Sequence, residues 1–322
     1  DLNFLTDFRL AFKDGSFFVP PGLIEGQKLD FLLRTLTLGP NGVARFDDLR
    51  LPFRAVATDI NTGEAVILET GTLATAQRAS MSIPAAFSPV ELDGRLLVDG
   101  YVANNLPIDA AQGLGAERVI AVDISTPLSE IDSRSSAFAI NAHASGFSTK
   151  ANQDHQKERL APDDILITPD LGDVGTTSFS RMEEAIAAGR RAAEAASQVL
   201  SRYSVSEEEY AAWRARHRRQ PPQLPIVDEI RIENDSLLAE AIIRDRVRVR
   251  TGEPLDLEVL QEDLGRLFGL DTFERVQFDL RRESGRMVLV YHVEERLRGK
   301  YFLRFGLRLA TDFGNDAGYQ FG

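Results

Sequence analysis

The chain has 322 residues, 43% of them hydrophobic, no Cys and a formal net charge of −12. This length suits about two domains with full cores. The acidity argues against nucleic acid as a partner, and the missing Cys excludes disulfides, thiolate nucleophiles and Cys-ligated zinc. No apolar run reaches the roughly 18 residues of a transmembrane helix.

Charge is uneven along the chain. Residues 1–200 hold 17 basic and 27 acidic side chains, a net of −10, whereas 201–322 hold 20 and 22, a net of −2. The first part is therefore poorly suited to simple electrostatic docking on anionic lipid. No signal peptide is visible. The chain opens Asp1-Leu2-Asn3 without an initiator Met and reads as the middle of a longer protein.

In chain order, residues 1–50 show helical spacing around Leu29–Leu36 and otherwise read as loop. Phe53–Ile60 and Ala65–Glu69 are strand patterns around the turn Asn61-Thr62-Gly63-Glu64, which predicts a hairpin. Thr72 is placed to cap an Ala-rich helix that stops before Pro84. Val90–Leu92 and Arg95–Val98 flank Asp93-Gly94, the type I′ hairpin signal. Pro107–Gln112 is helical. Val119–Ile124 is a continuous apolar run, the pattern of a parallel strand covered on both faces. Residues 136–160 are helical, Asp164–Thr168 is a strand, and Ser178–Leu200 is a long Ala-rich helix with Glu183 and Glu184 near its positive end. Strands alternating with helices predict an α/β sheet.

Glu207–Arg219 is a further helix. Gln220-Pro221-Pro222-Gln223-Leu224-Pro225 is a stiff linker and marks a domain boundary. Beyond it the order changes to strand (Ile226–Ile232), helix (Ser236–Arg244), helix (Leu257–Phe268), strand (Phe273–Leu280) and strand (Met287–Val293), a small α+β module. Lys300–Leu309 alternates apolar with charged or small residues, as a barrel strand with one face in lipid would.

The chemistry concentrates at Asp99-Gly100. An apolar strand, Arg95–Val98, runs into a carboxylate and a glycine, then into Tyr101-Val102-Ala103-Asn104-Asn105-Leu106-Pro107. An acid at the carboxyl end of a strand lies where open α/β sheets bind ligands. An Asp before Gly is also a common structural turn residue, but here Asp93-Gly94 already supplies the hairpin tip. His143, His155, His217 and His292 read as surface or helix-face residues. Ser80 and Ser82 are candidate nucleophiles but lack a strained glycine elbow.

Three blocks carry a resemblance: Ala57-Thr58-Asp59-Ile60, then Ala79–Phe87, then Leu97–Pro107. Together they resemble the second half of a patatin-like phospholipase domain over about residues 1–200. The resemblance implies an α/β patatin-like three-layer domain with its N-terminal part missing. It also implies a serine–aspartate dyad in which Asp99 is the base and Gly100 its motif neighbour, acting on phospholipid or fatty-acyl esters without metal or cofactor. A serine needs an adjacent base to become a nucleophile, and backbone N–H groups must hold the oxyanion. The family's Gly-x-Ser-x-Gly elbow and glycine-rich oxyanion loop do not occur here. Gly146-Phe147-Ser148-Thr149-Lys150 lacks the second glycine and follows Asp99, so both features are expected upstream of Asp1.

The module at 226–295 resembles a POTRA domain, a kind that binds peptide by strand addition at a sheet edge. With the barrel-like strand, the whole resembles a type Vd autotransporter. The expected division is a hydrolase part at 1–220, a POTRA domain at 221–297 and the start of an outer-membrane barrel at 298–322. This implies an outer-membrane, cell-surface or secreted lipid acyl hydrolase of a Gram-negative bacterium, with no nucleic-acid partner and with a homodimer left open. Two rivals remain: a non-catalytic POTRA-barrel secretion or assembly protein with a binding passenger, and a soluble intracellular esterase with an unrelated tail.

Overall fold

The computed structural model describes residues 8–13, 16–18, 22–24, 26–38, 45–125, 137–175, 178–218, 224–270, 272–295 and 301–305. Strands β1 (Phe8–Lys13), β2 (Ser16–Phe18) and β3 (Gly22–Ile24) form where the sequence predicts loop. Helix α1 (Gln27–Leu36) follows, then β4 (Ala55–Asp59), β5 (Ala65–Leu68), helix α2 (Leu73–Ser80), β6 (Ala85–Phe87), β7 (Val90–Leu92) and β8 (Arg95–Asp99). After a 3-10 turn at Gly100–Val102 come α3 (Ile108–Gly113), β9 (Ile120–Val122), α4 (Ala137–Lys157) and β10 (Ile165–Ile167). Helices α5 (Met182–Ala195), α6 (Ser197–Leu200) and α7 (Glu207–Arg216) precede the last part of the chain. That part holds β11 (Glu229–Asp235), α8 (Glu240–Arg244), α9 (Leu257–Phe268), β12 (Phe273–Glu283), β13 (Arg286–Glu295) and β14 (Tyr301–Phe305).

Both predicted hairpins form within one antiparallel sheet of order β5-β4-β8-β7. Ala55 pairs with Leu68, and Val90 with Leu97. Asp93 and Gly94 have φ of 51° and 73°, the left-handed pair that a type I′ turn requires. Phe46, Ala57, Leu68, Ala76, Ala79 and Leu97 form the core beneath this sheet. Small side chains at Ala76 and Ala79 let α2 lie close against β4 and β8. The predicted cap residue Thr72 makes no side-chain cap bond on α2.

Strands β9 and β10 pair in parallel, Ile120 opposite Ile165. Cover on both faces is not seen among the described residues. Ala121 is buried against Leu106, Ile108 and Val119, but Ile120 and Val122 are each 50% exposed. An apolar run states what a strand could bury on each face, and only packing decides which face is covered. The predicted helix over 178–200 is split into a 3-10 turn at Phe179–Arg181, α5 and α6.

The later module has the predicted order. Its sheet runs β11-β13-β12, with β11 parallel and β12 antiparallel to β13. Ile243 of α8 and Leu260, Leu264 and Leu267 of α9 share one core with Phe273, Phe278, Leu289 and Tyr291 of the sheet. Each fully buried side chain of this size contributes about 1.5–3 kcal/mol. Asp256 caps α9 by accepting the N–H groups of Glu258 and Val259.

Within the alternating segment at 300–309, Tyr301–Phe305 form a strand, β14, but it is not part of a barrel among the described residues. It pairs antiparallel with β1, Phe8 opposite Phe305 and Phe12 opposite Tyr301, in a three-stranded sheet of order β14-β1-β2. A period-2 pattern specifies a half-covered strand and leaves the partner strand open. Residues 298–300 and 306–322 of the predicted barrel region, 296–297 of the predicted POTRA domain and 220–223 of the predicted linker lie outside the described residues.

Candidate active site

Asp99 is the last residue of β8, opposite Ala57 of β4. Its backbone is fixed on both sides. The Asp99 N–H donates to the Ser82 carbonyl at 2.9 Å, and its carbonyl accepts from the Thr58 hydroxyl at 2.9 Å. Thr58 is fully buried, and its hydroxyl oxygen also accepts the Ala103 N–H at 3.2 Å. One hydroxyl therefore pins both ends of the Asp99–Ala103 turn. Sequence reasoning placed Thr58 in a family block without a role. The available signal is a lone hydroxyl at the end of the apolar run Ala55-Val56-Ala57-Thr58.

Gly100 sits here because the turn crosses β4 at backbone contact. A Cβ built on it would lie 2.3 Å from the Val56 carbonyl oxygen. The Gly100 carbonyl then accepts the Asn104 N–H at 2.8 Å, closing the turn.

The Asp99 carboxylate is half-buried. Its Oδ1 accepts the Tyr101 N–H at 3.0 Å, and among the described residues Oδ2 accepts no hydrogen bond. Burial pushes its pKa above the ordinary 3.8, opposed by the Tyr101 bond. The Tyr101 hydroxyl is likewise pushed up, by burial and by the Asp99 charge. A partly desolvated carboxylate with one oxygen anchored and one unengaged has the features of a general base.

The candidate serines behave differently. Ser80 donates to the Val56 carbonyl at 2.7 Å. Ser82 is fully buried, donates to the Arg78 carbonyl at 2.7 Å and accepts from the Arg78 guanidinium. Both hydroxyl protons are committed to backbone, and Ser82 meets Asp99 only through its carbonyl. Ser148, in the nearest match to a serine elbow, lies inside α4, where no strand-to-helix turn exists. Among the described residues no group of three or more His, Asp or Glu side chains is placed to hold a metal ion.

The histidines lie elsewhere. His143 lies on α4, and its side chain is outside the described residues. His155 is exposed near Glu158, and His217 ends α7 stacked on Trp213. His292 lies on β13 of the module, 2.9 Å from Glu233 and 3.0 Å from Asp279.

Residues 3–112, which include Asp99 and Gly100, match the family described as patatin-like phospholipase. Residues 225–296 match the POTRA family, described as surface antigen variable number repeat. An uncharacterized NTE family protein of Mycobacterium bovis is 37% identical over 103 residues, 32% of this chain and 28% of that protein. Patatin-like phospholipase domain-containing protein 7 of Mus musculus is 42% identical over 82 residues, 25% of this chain and 6% of that protein. Patatin-like phospholipase domain-containing protein 6 of Homo sapiens is 40% identical over 82 residues, again 25% and 6%. The match thus spans 28% of the length of the Mycobacterium bovis relative and 6% of the length of the two mammalian ones. The solved N-terminal domain of Omp85 from Thermosynechococcus elongatus aligns with 22% of this chain and 34% of its own, at 26% identity and a TM-score of 0.20. The start of the chain is thus similar to patatin-like phospholipase domains, and residues 225–296 are similar to POTRA domains.

Proposed function

We propose that this chain is part of a lipid acyl hydrolase that cleaves phospholipid acyl esters through a serine–aspartate dyad with Asp99 as base. The observation that carries this reading is the Asp99 carboxylate itself. It is partly desolvated, anchored at one oxygen, and rigidly held at a strand end within the patatin-like match. The nucleophilic serine and the oxyanion donors are assigned to a segment upstream of residue 1, since no Gly-x-Ser-x-Gly elbow occurs in the chain.

In this reaction Asp99 takes the serine proton as the serine oxygen bonds to the ester carbonyl carbon. The proton passes to the departing alcohol as the old ester bond breaks. A water then repeats the sequence on the acyl-enzyme, releasing the fatty acid and restoring the serine. The POTRA match supports a further reading, display or secretion at a Gram-negative outer membrane through a following barrel, with the division 1–220, 221–297 and 298–322.

The test is Asp99→Asn in the full-length enzyme, assayed on a fatty-acyl ester. Asn keeps an acceptor for the Tyr101 N–H, so the fold is expected to stay intact. Loss of the base is expected to lower kcat by about 10²–10⁴-fold. The acidic limb of kcat/KM is expected to lie above 3.8, the ordinary Asp value, because activity appears only as Asp99 loses its proton. Wild-type turnover by a folded Asp99→Asn protein sinks the dyad. It would favour the passenger as a binding module.

A further inference from the structure

Strand β12 is an edge of the POTRA sheet, whose order is β11-β13-β12. An edge strand offers unpaired N–H and C=O groups to any added strand. Here that edge meets α1, some 240 residues earlier in the chain. The Gln27 side-chain amide bonds the same residue of β12 twice. Its oxygen accepts the Val276 N–H at 3.3 Å, and its nitrogen donates to the Val276 carbonyl. A primary amide presents the donor and acceptor of a peptide unit, so Gln27 reproduces at one point the pairing that a neighbouring strand would make.

About two turns further along α1, Arg34 donates to the Phe278 carbonyl at 3.0 Å and also to the Asp279 carboxylate. The backbone groups of Val276 and Phe278 are thus both engaged by α1, while their side chains lie in the core of the module. Between them, Gln277 donates to Asp30 at 3.0 Å, and the rings of Phe31 and Phe278 lie 6.0 Å apart. Leu38, just past α1, is buried in the POTRA core.

The charges show that this contact is built. Asp30 and Arg34 are each 5% exposed, and they pair at 2.7 Å. Burying ions is costly unless each is paired and hydrogen-bonded. Arg34 meets that condition with Asp30 from its own helix, Asp279 and the Phe278 carbonyl from β12, and Thr75 of α2 at 3.5 Å. Removing β12 would strip a buried guanidinium of two of these partners. The sequence of α1 therefore suits docking on β12 and is poorly suited to standing free.

We propose that α1 is the resident occupant of the β12 edge, so that the POTRA domain is docked on the patatin-like part and this edge is closed to strand addition. Nothing in this depends on Asp99 or on ester hydrolysis. The test is hydrogen exchange read by mass spectrometry on the full chain, comparing wild type with Gln27→Ala and with Gln27→Ala/Arg34→Ala. Gln27→Ala is expected to speed exchange within 273–280 by about tenfold, the scale of one lost net hydrogen bond. The double variant is expected to speed it further, with 286–295 unchanged in both. Unchanged exchange at 273–280 in both variants overturns the proposal. If the double variant also loosens 286–295, the domain has unfolded and Gln27→Ala alone decides. Faster exchange at 273–280 then supports the docked edge, and unchanged exchange overturns it.

Discussion

Gly100 and Asp99 are held by different constraints. Gly100 is fixed by space, because any Cβ at that position would sit 2.3 Å from a backbone oxygen of β4. Gly100→Ala must therefore push β4 and β8 apart, and overpacking of this kind costs about 1–3 kcal/mol. The denaturant midpoint is expected to fall accordingly, with the m-value unchanged. Asp99 is fixed by hydrogen bonds to its backbone and is destabilised as an anion by burial. A carboxyl whose folded pKa is raised weakens folding as pH rises above its unfolded value. Asp99→Asn is thus expected to leave stability at neutral pH unchanged or increased, the behaviour of a residue kept for something other than stability. Its position at a strand end was readable from Leu96-Leu97-Val98-Asp99-Gly100. That one oxygen is anchored, and the other unengaged among the described residues, required the Tyr101 N–H to be placed in space.

At the scale of elements, α9 shows how one buried acid can organise a helix and a sheet. Asp263 is fully buried. One of its oxygens accepts the Arg248 and Val249 N–H groups and the Tyr291 hydroxyl, and the other pairs with Arg266. Burial and the Asp263 charge together push the Tyr291 hydroxyl pKa far up, so that it stays a donor. Asp263→Ala leaves these donors without an acceptor inside the core. A loss of about 3–5 kcal/mol is expected, as for a broken buried pair, measurable by chemical unfolding. The sequence pattern of α9 was legible because Leu260, Leu264 and Leu267 recur at helical spacing and Asp256 supplies a cap. Asp263 could not be singled out, since an acid beside Glu262 reads as solvent-facing until the fold turns one inward and the other outward.

At the scale of the whole molecule, the contact between α1 and β12 links sequence-distant parts through Asp279. Burial alone would raise the Asp279 pKa, but the His292 hydrogen bond and the Arg34 and Arg281 charges outweigh it and hold the carboxyl below 3.8. A depressed carboxyl pKa contributes stability that is present above the unfolded value and lost as pH falls through the folded one. Wild-type stability is therefore expected to drop below about pH 4. Asp279→Asn is expected to show a shallower drop over that window and a lower stability at neutral pH, by thermal unfolding across a pH series. A slope equal to wild type would show that this carboxylate carries no net linkage.

Local pattern by itself determined most elements of this protein. Asp93-Gly94 fixes a type I′ turn through backbone sterics, and the leucines of α9 fix a helix through side-chain period. A carboxylate after a buried strand marks the candidate site in the same way. These signals lie within about ten residues of one another, where backbone geometry leaves few alternatives. Tertiary structure decided the remainder. It paired β14 with β1 where the sequence predicted a barrel, left one face of β9 exposed, assigned Thr58 to the turn at Asp99, and set α1 on the edge of β12. Each of these depends on which distant surface is available for burial or pairing. Period and composition say that a surface exists, and only the folded chain says what meets it.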